Sequence, residues 1–265
     1  MDWNGLAALS WDPSGGAVPG ADFAFLRRLL DAQATRGVQG AALDVGCGTG
    51  RLLLPLLAAG YEIEGVDSAG DMLAICRAKA GALKLDPVLY HQRMEVMATN
   101  RRYAAAFISC GTLMLLTEAG QNEAALLRLR EHLMPGGALS LSLASPHGPE
   151  SPLRASSRTG PEVAWQRWHQ ATLADGLEIV QELRVTAVDP VGQRRDAERR
   201  YRAYRSGVLI KEEAFAMRLR YYTVSEFTLL LRLTGFSGVV CTGDWSDIPF
   251  DPACHTTMTV TAVAS

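Results

Sequence analysis

Leu43 to Arg51 reads LDVGCGTGR. An apolar run from Ala41 to Val45 leads into it, and Leu52 to Ala59 follows as a helical stretch stopped by Gly60. The segment therefore reads as a buried strand, a tight glycine turn and a helix. Glycines at 46, 48 and 50 let the chain turn sharply and let a ligand lie against bare backbone. The helix is expected to start near Thr49 and to turn its free N–H groups towards the ligand. A dinucleotide site prefers G-x-G-x-x-G, whereas here the order is G-x-G-x-G behind the acid Asp44. Such a loop suits a ligand with both an ammonium and a carboxylate, the acid for one and the helix terminus for the other.

Outward from the loop the alternation continues. Glu62–Val66, Pro87–His91, Ala104–Cys110 and Ala138–Ala144 read as strands, and Gly70–Ala80 and Glu118–Leu133 as helices. This βαβα order predicts a Rossmann-like, doubly wound α/β sheet with helices on both faces. The rhythm stops at Ser145. Turn signals at Asp175-Gly176, Asp189-Pro190 and Ser206-Gly207 then separate polar-aromatic runs, which predicts an inserted antiparallel β cap over 146–222. Thr223–Leu233 reads as a helix, and Val239–Thr242 and Thr257–Val263 as the last strands of the main sheet. Residues 1–36 form an arm, irregular to residue 20, then a helix over Phe23–Gln33 capped by Asp22. The expected organisation is thus an arm at 1–36, a core at 37–145 and 223–265, and a cap at 146–222.

A second acid, Asp67 of EGVDSAGDML (Glu62–Leu73), ends the second strand 23 positions after Asp44. That is where an acid can accept both ribose hydroxyls of a nucleoside, although it could also cap the helix that follows. With LDVGCGTGR, Asp67, the stretch REHLMPGGALSLSL and LRYYTVSEFTLLLRLTGF, the chain resembles class I S-adenosylmethionine-dependent methyltransferases. It is most similar to the small-molecule branch that includes glycine and amino-sugar N-methyltransferases. The resemblance implies a seven-stranded sheet in the order 3-2-1-4-5-7-6 with the last strand antiparallel. It also implies S-adenosyl-L-methionine as cofactor and S-adenosyl-L-homocysteine as product, lying across strands 1, 2 and 4. The residues implied to hold it are Asp44, Gly46, Cys47, Gly48, Gly50, Arg51, Asp67, Ser68, Met72, Met94, Ser109 and Cys110. Relatives carry an acid facing the adenine amine after the third strand. Here Arg93 precedes Met94, and Arg93 either stacks on the ring or points to solvent.

Composition narrows the partners. The 265 residues carry a formal net charge of −2, with 48% hydrophobic and 20% charged residues. A buried core is affordable, and no global positive field draws the chain to nucleic acid or an anionic membrane. The arginine run from 194 to 205 is interrupted by Asp196 and Glu198, which suits a solvated strand face or a funnel for an acidic substrate. Five scattered cysteines show no metal or C-x-x-C spacing, so no metal is expected, and reduced thiols fit a cytoplasmic protein. No signal peptide or membrane span is expected, and the expected assembly is a monomer or homodimer.

The expected reaction is methyl transfer to an N or O of a small molecule. The alternative is a non-catalytic, regulatory module that binds the same cofactor. An oxidoreductase on the same layout is disfavoured by the glycine spacing. Methyl transfer depends mostly on placing the acceptor with water excluded. A neutral amine needs little help, and a hydroxyl needs a base. Candidates for that work are His147 after the fifth strand, His169 with Trp165 and Trp168 in the cap, and Tyr222 before the final helix. Trp3 and Trp11 could fold over the cofactor.

Overall fold

The computed structural model describes residues 3–16, 20–145 and 164–265. In chain order the helices and strands are α1 (Gly5–Trp11), α2 (Ala21–Thr35), β1 (Ala42–Val45), α3 (Leu53–Ala58), β2 (Ile63–Asp67), α4 (Gly70–Ala82), β3 (Val88–His91), β4 (Tyr103–Ile108), α5 (Gln121–His132), β5 (Leu133–Ala144), β6 (Gln166–Thr172), β7 (Glu178–Asp189), β8 (Arg194–Arg205), β9 (Val208–Arg220), α6 (Val224–Leu233), β10 (Phe236–Gly243) and β11 (Thr257–Ala264). Seven strands form one sheet in the order β10-β11-β5-β4-β1-β2-β3. β11 runs antiparallel to both of its neighbours, and the other contacts from β5 to β3 are parallel. This is the Rossmann-like order expected from the sequence.

Every residue of β1 and β4 is buried, as parallel strands covered on both faces must be. One core cluster lies between the sheet and α5 and α6, around Leu43, Ile108, Leu126, Leu139 and Phe227. A second lies on the opposite face, around Leu26, Leu53, Leu73 and Phe107. α6 is started by Thr223, whose Oγ1 accepts from the Glu226 N–H at 3.2 Å.

Several boundaries move for physical reasons. Asp22 lies inside the first turn of α2 and not before it, where its carboxylate is held by Arg51. α3 begins at Leu53 and not Thr49, because residues 46–52 are consumed by turns. Pro135-Gly136-Gly137 does not precede the fifth strand but bulges within it. Leu133 pairs with Tyr103, and pairing resumes at Ala138 with Ala105. The arm also contains a helix, α1, that its seven mostly apolar residues had not announced.

β6 to β9 form a separate four-stranded antiparallel sheet in chain order. β8 and β9 are joined by the two-residue turn Ser206-Gly207, with φ of 49° and 77°. Two positive values define the tight hairpin turn whose twist matches its strands. This second sheet docks on the main one where Leu115 packs with Leu183, Ala197 and Met217.

Candidate active site

The carboxyl ends of β1, β2 and β4 open into a cavity of about 630 Å³. Gly46, Gly48 and Gly50 all adopt positive φ (77°, 53° and 83°), a region costly for residues with a Cβ. A Cβ on Gly46 would lie 2.8 Å from Thr112 Cγ2, so this glycine lets the β1 turn pass the β4 turn. A Cβ on Gly48 would meet nothing nearer than the Met72 sulfur at 4.0 Å, leaving a bare cradle on the cavity wall. Gly50 does not line the cavity; its Cβ would strike Cys76 Sγ at 2.6 Å and Leu54 Cγ at 2.8 Å. The loop spends its own donors. The N–H groups of Gly46 and Cys47 go to the Val66 carbonyl, that of Gly50 to Cys47, and that of Gly48 to Asp67 Oδ2 at 2.8 Å. What Gly46, Cys47 and Gly48 offer a ligand is therefore close surface, and the polar offer comes from neighbouring side chains.

Those side chains are acidic. Asp44 is 3% exposed, and burial pushes its carboxyl up to about 8, with Arg51 pulling the other way. Asp67 is also raised by burial, against hydrogen bonds from Ala69 and Gly48. Its two oxygens each take one backbone N–H, from Gly48 and Ala69 at 2.8 Å. Asp67 thus ties the glycine loop to the turn before α4, while its carboxylate keeps lone pairs for a further donor. Arg51 is clamped by Asp22 Oδ2 at 2.6 Å and approaches Cys110 Sγ at 3.3 Å.

The rest of the wall is built from four places. Gln92, Arg93, Met94 and Glu95 come from the turn after β3. Arg93 turns outward, with its side chain 62% exposed, and pairs with Glu95, whose side chain is only 9% exposed. An acid therefore stands at this edge two positions beyond the place where the sequence lacks one. Ser109 to Thr112 follow β4, and Leu115 to Glu118 with Gln121 lead into α5. Arg199, Met217 and Leu219 come from the inner face of the cap. Trp3 and Trp11 come from the arm and meet edge to face, with ring centres 5.5 Å apart.

The arm is wedged between the two sheets. α1 packs Leu6 and Ala7 against Ile179, Tyr201 and Ala203 of the cap, and Ala8 against Ala69 and Met72 beside α4. At its N-terminus, Asp71 Oδ2 accepts from Gly5 N and Glu213 Oε2 from Leu6 N, each at 2.7 Å. After it, Asp12 accepts from Thr49 Oγ1 at 2.6 Å and from Lys79 Nζ at 2.8 Å.

The cavity brings together Asp44, Gly46, Cys47, Gly48, Arg51, Asp67, Ser68, Met72, Met94, Ser109 and Cys110 of the residues singled out from sequence. It does not include His169, which lies half-buried on β6 opposite Gln181, a residue turned towards Ser14 of the arm. Tyr222 is 4% exposed in the main core, edge-on to Phe227, and its hydroxyl has no hydrogen-bond partner among the described residues. Trp165 is on the outer side of the cap under Arg184 and Arg200, at 4.6 and 4.3 Å, and Trp168 is exposed. His147 lies outside the described residues. Glu95, Met217 and Leu219 were missed, and Arg199 was read only within the arginine run, as part of a solvated strand face or a funnel for an acidic substrate. Glu95 had a signal, being the first acid after the third strand; the cap residues had none until strand register assigned their faces.

The family model for a methyltransferase domain matches residues 42–137. The N,N-dimethyltransferase of dTDP-3-amino-3,6-dideoxy-α-D-glucopyranose from Streptomyces fradiae is 34% identical over 97 residues, 37% of this chain and 36% of that one. The chain spans about four-tenths of the length of the first curated relatives it matches. An S-adenosylmethionine-dependent methyltransferase from Clostridium acetobutylicum shares the fold with a TM-score of 0.75 at 14% identity, over 97% of both chains. The S-adenosylmethionine-bound amino pentose methyltransferase CalS10 from Micromonospora echinaspora matches 100% of this chain and 99% of its own, with a TM-score of 0.66 at 19% identity. Among the described residues, no helix is long and apolar enough to cross a membrane.

Proposed function

Residues 42–137 are a methyltransferase domain, and from that premise we propose that the chain methylates a nitrogen of a small amine, an amino sugar or a compound like one, with S-adenosylmethionine as the donor. The observation that carries this reading is the cavity itself. One wall is the acid-and-glycine loop of β1, the other is the cap sheet, and both ends are filled by the arm and the turn after β3. The residues present suit the cofactor. Asp44 is a buried acid whose raised proton affinity an ammonium would reverse, Gly48 leaves backbone bare, and Asp67 keeps lone pairs for ribose hydroxyls. Met94 and Glu95 stand at the edge where the base would lie, the one for packing and the other as an acceptor. The residues proposed to hold the cofactor are therefore those named from sequence that line the cavity, with Glu95 added.

When bound, the cofactor supplies a sulfonium methyl that a lone pair can displace in line. The chain's part is placement. Leu115, Met217 and Leu219 give the acceptor side an apolar lining that keeps water from the line of attack. Among the described residues, no histidine, tyrosine or lysine lines the cavity. An amine arriving with a free lone pair needs no general base, whereas a hydroxyl does. A methylated amine would leave the site as an ammonium, and Glu118 on the cavity's exposed rim, with water, would take its proton. The sugar N,N-dimethyltransferase of Streptomyces fradiae, similar over the core, supports an amino-sugar acceptor. The test is incubation with methyl-labelled cofactor and a panel of amino sugars, free and nucleotide-linked, beside matched hydroxyl analogues. Label on nitrogen, with activity rising through the amine's own pKa, is expected; label on oxygen alone overturns the proposal.

A further inference from the structure

The arginines of β8 divide by the face on which the strand places them. Arg194, Arg200, Arg202 and Arg205 reach carboxylates at Asp189, Glu182, Glu182 and Asp175. Arg195 and Arg199 are different: among the described residues, neither has a carboxylate within ion-pair distance. Arg195 is 5% exposed, and its Nε and Nη1 have no hydrogen-bond partner. Arg199 also leaves Nε unpartnered; it sits 5.2 Å over the Trp3 ring, with Nη1 3.4 Å from the Tyr201 hydroxyl.

Register places this pair on the substrate side. Arg199 lines the cavity itself, and Arg195 is directly opposite Leu219, which also lines it. Partners opposed across an antiparallel pair share a face. A guanidinium does not give up its proton in a protein, so an enclosed arginine stays charged and must be paired or carry the cost. Burial holds Arg195 below the ordinary guanidinium value; Tyr221 pulls it back up, and the charge of Arg199 pushes it down, so the two cations oppose one another. The Trp3 ring and the Tyr201 hydroxyl relieve Arg199 only in part, and among the described residues no carboxylate offsets the pair; an anion at the cap wall would. In the reading above, the cofactor's amino-acid half meets Asp44 and the glycine loop, on the opposite wall from the cap.

We propose that Arg199, with Arg195 behind it, receives an anionic group of the methyl acceptor, a phosphate or a carboxylate. The acceptor is then a small amine joined to an acid, and the cap selects it by charge while the core selects the cofactor. This rests on the methyltransferase reading and is tested separately from it. A fork-shaped guanidinium takes two oxygens of one anion at once, which a lysine cannot.

The experiment is calorimetric titration of the protein first with S-adenosylhomocysteine, then, once loaded, with inorganic pyrophosphate, a nucleoside diphosphate and succinate in separate arms. At least one anion is expected to bind, with affinity falling as salt rises. Stronger binding by the two phosphate compounds identifies a phosphoryl group, and by succinate a carboxylate. Arg199→Gln is expected to weaken that anion by about tenfold or more, the worth of one charge-assisted hydrogen bond, and to leave S-adenosylhomocysteine unaffected. Arg199→Lys is expected to recover part of the loss, and Arg205→Gln to behave as the parent. Loaded protein that binds none of the three at millimolar concentration, or binds equally well without Arg199, overturns the proposal and leaves the methyltransferase reading standing. Failure to bind S-adenosylhomocysteine at all defeats that reading instead. If Arg199→Gln does not fold, the salt dependence and the Lys variant decide the question.

Discussion

The two walls of the cavity are made by opposite means. On the core side, Asp44 to Gly50 shapes the site with backbone: positive φ at three glycines, a turn tied to β2, and one carboxylate pinning Gly48. On the cap side the backbone is regular and the chemistry lies in alternate side chains of β8 and β9, those facing inward differing in kind from those facing out. Arg200 and Arg202 share Glu182 on the outer face, whereas Arg195 and Arg199 have no acid on the inner. A site built from backbone admits few sequences and one ligand shape. A site built on strand faces can change its ligand by single substitutions without disturbing the fold. On the function proposed above, the cofactor would be held by what cannot vary and the acceptor by what can.

This contrast can be broken at several points. The largest effect is expected from Gly50→Ala, which puts a Cβ at positive φ against Cys76 and Leu54. Strain and overpacking together should cost about 2–4 kcal/mol by denaturant unfolding, with the affinity of the surviving fold for S-adenosylhomocysteine little changed. Near-parental stability with lost affinity would mean that Gly50 touches the ligand after all. Asp67→Ala comes next. It is expected to weaken S-adenosylhomocysteine by about tenfold to a hundredfold, the range for a lost charge-assisted hydrogen bond. Asp67→Asn retains an acceptor and should keep the stability of the turn while losing part of the affinity. Lost stability at unchanged affinity would reduce Asp67 to a pin for the loop.

Asp44 sharpens the comparison through pH. Its carboxyl sits at about 8 in the folded ligand-free chain against 3.8 in the ordinary case. Between those values the folded state holds the extra proton, so stability from this group falls as pH rises from about 4 to about 8. The melting temperature without ligand should drop across that window, and Asp44→Asn should flatten the drop. Saturating S-adenosylhomocysteine should flatten it too, since an ammonium beside Asp44 stabilises the ionised form; an unchanged slope would remove Asp44 from the ligand's amine. The smallest effect is expected on the outer cap. Arg218 pairs with both oxygens of Asp196, but the side chains are 45% and 34% exposed. Arg218→Gln should cost less than about 1 kcal/mol and leave ligand affinity unchanged.

The core side was legible in the sequence because its signals are local. A strand, an acid and alternate glycines occupy consecutive positions, and the order of strands follows from alternation with helices. The cap was legible only as an antiparallel sheet. Whether Trp165 or Arg199 faces the cavity depends on strand register, and residues 166–205 carry bulges at Arg167/His169 and Val185/Ala187 that exchange faces. The sequence therefore drew attention to Trp165, Trp168 and His169, and the fold turns Arg199, Met217 and Leu219 inward instead. Glu95 was less legible because it stands two residues beyond the position where relatives carry an acid, brought to the cavity by the short turn after β3. α1 was hidden because its seven residues become a helix only between the surfaces they join.

That last point governs the order in which the molecule can be assembled. Apart from Trp3, which meets Trp11, and bonds within the stretch itself, the partners of Gly5 to Asp12 come later in the chain: Thr49, Asp71 and Lys79 first, then Ile179, Tyr201 and Glu213 some 170 to 210 positions on. A seven-residue helix has no stability of its own in water. The stretch made early must therefore wait, unstructured, until the cap exists to receive it. Closing so long a loop is slow compared with local pairing. A folding chain should pass through a stage in which the two sheets are formed and the cavity still stands open to solvent on the side of Trp3 and Trp11. Hydrogen exchange pulsed during refolding would detect this as late protection of residues 5–11, after that of β1 and β8; simultaneous protection would show that the wedge helps the two sheets find one another.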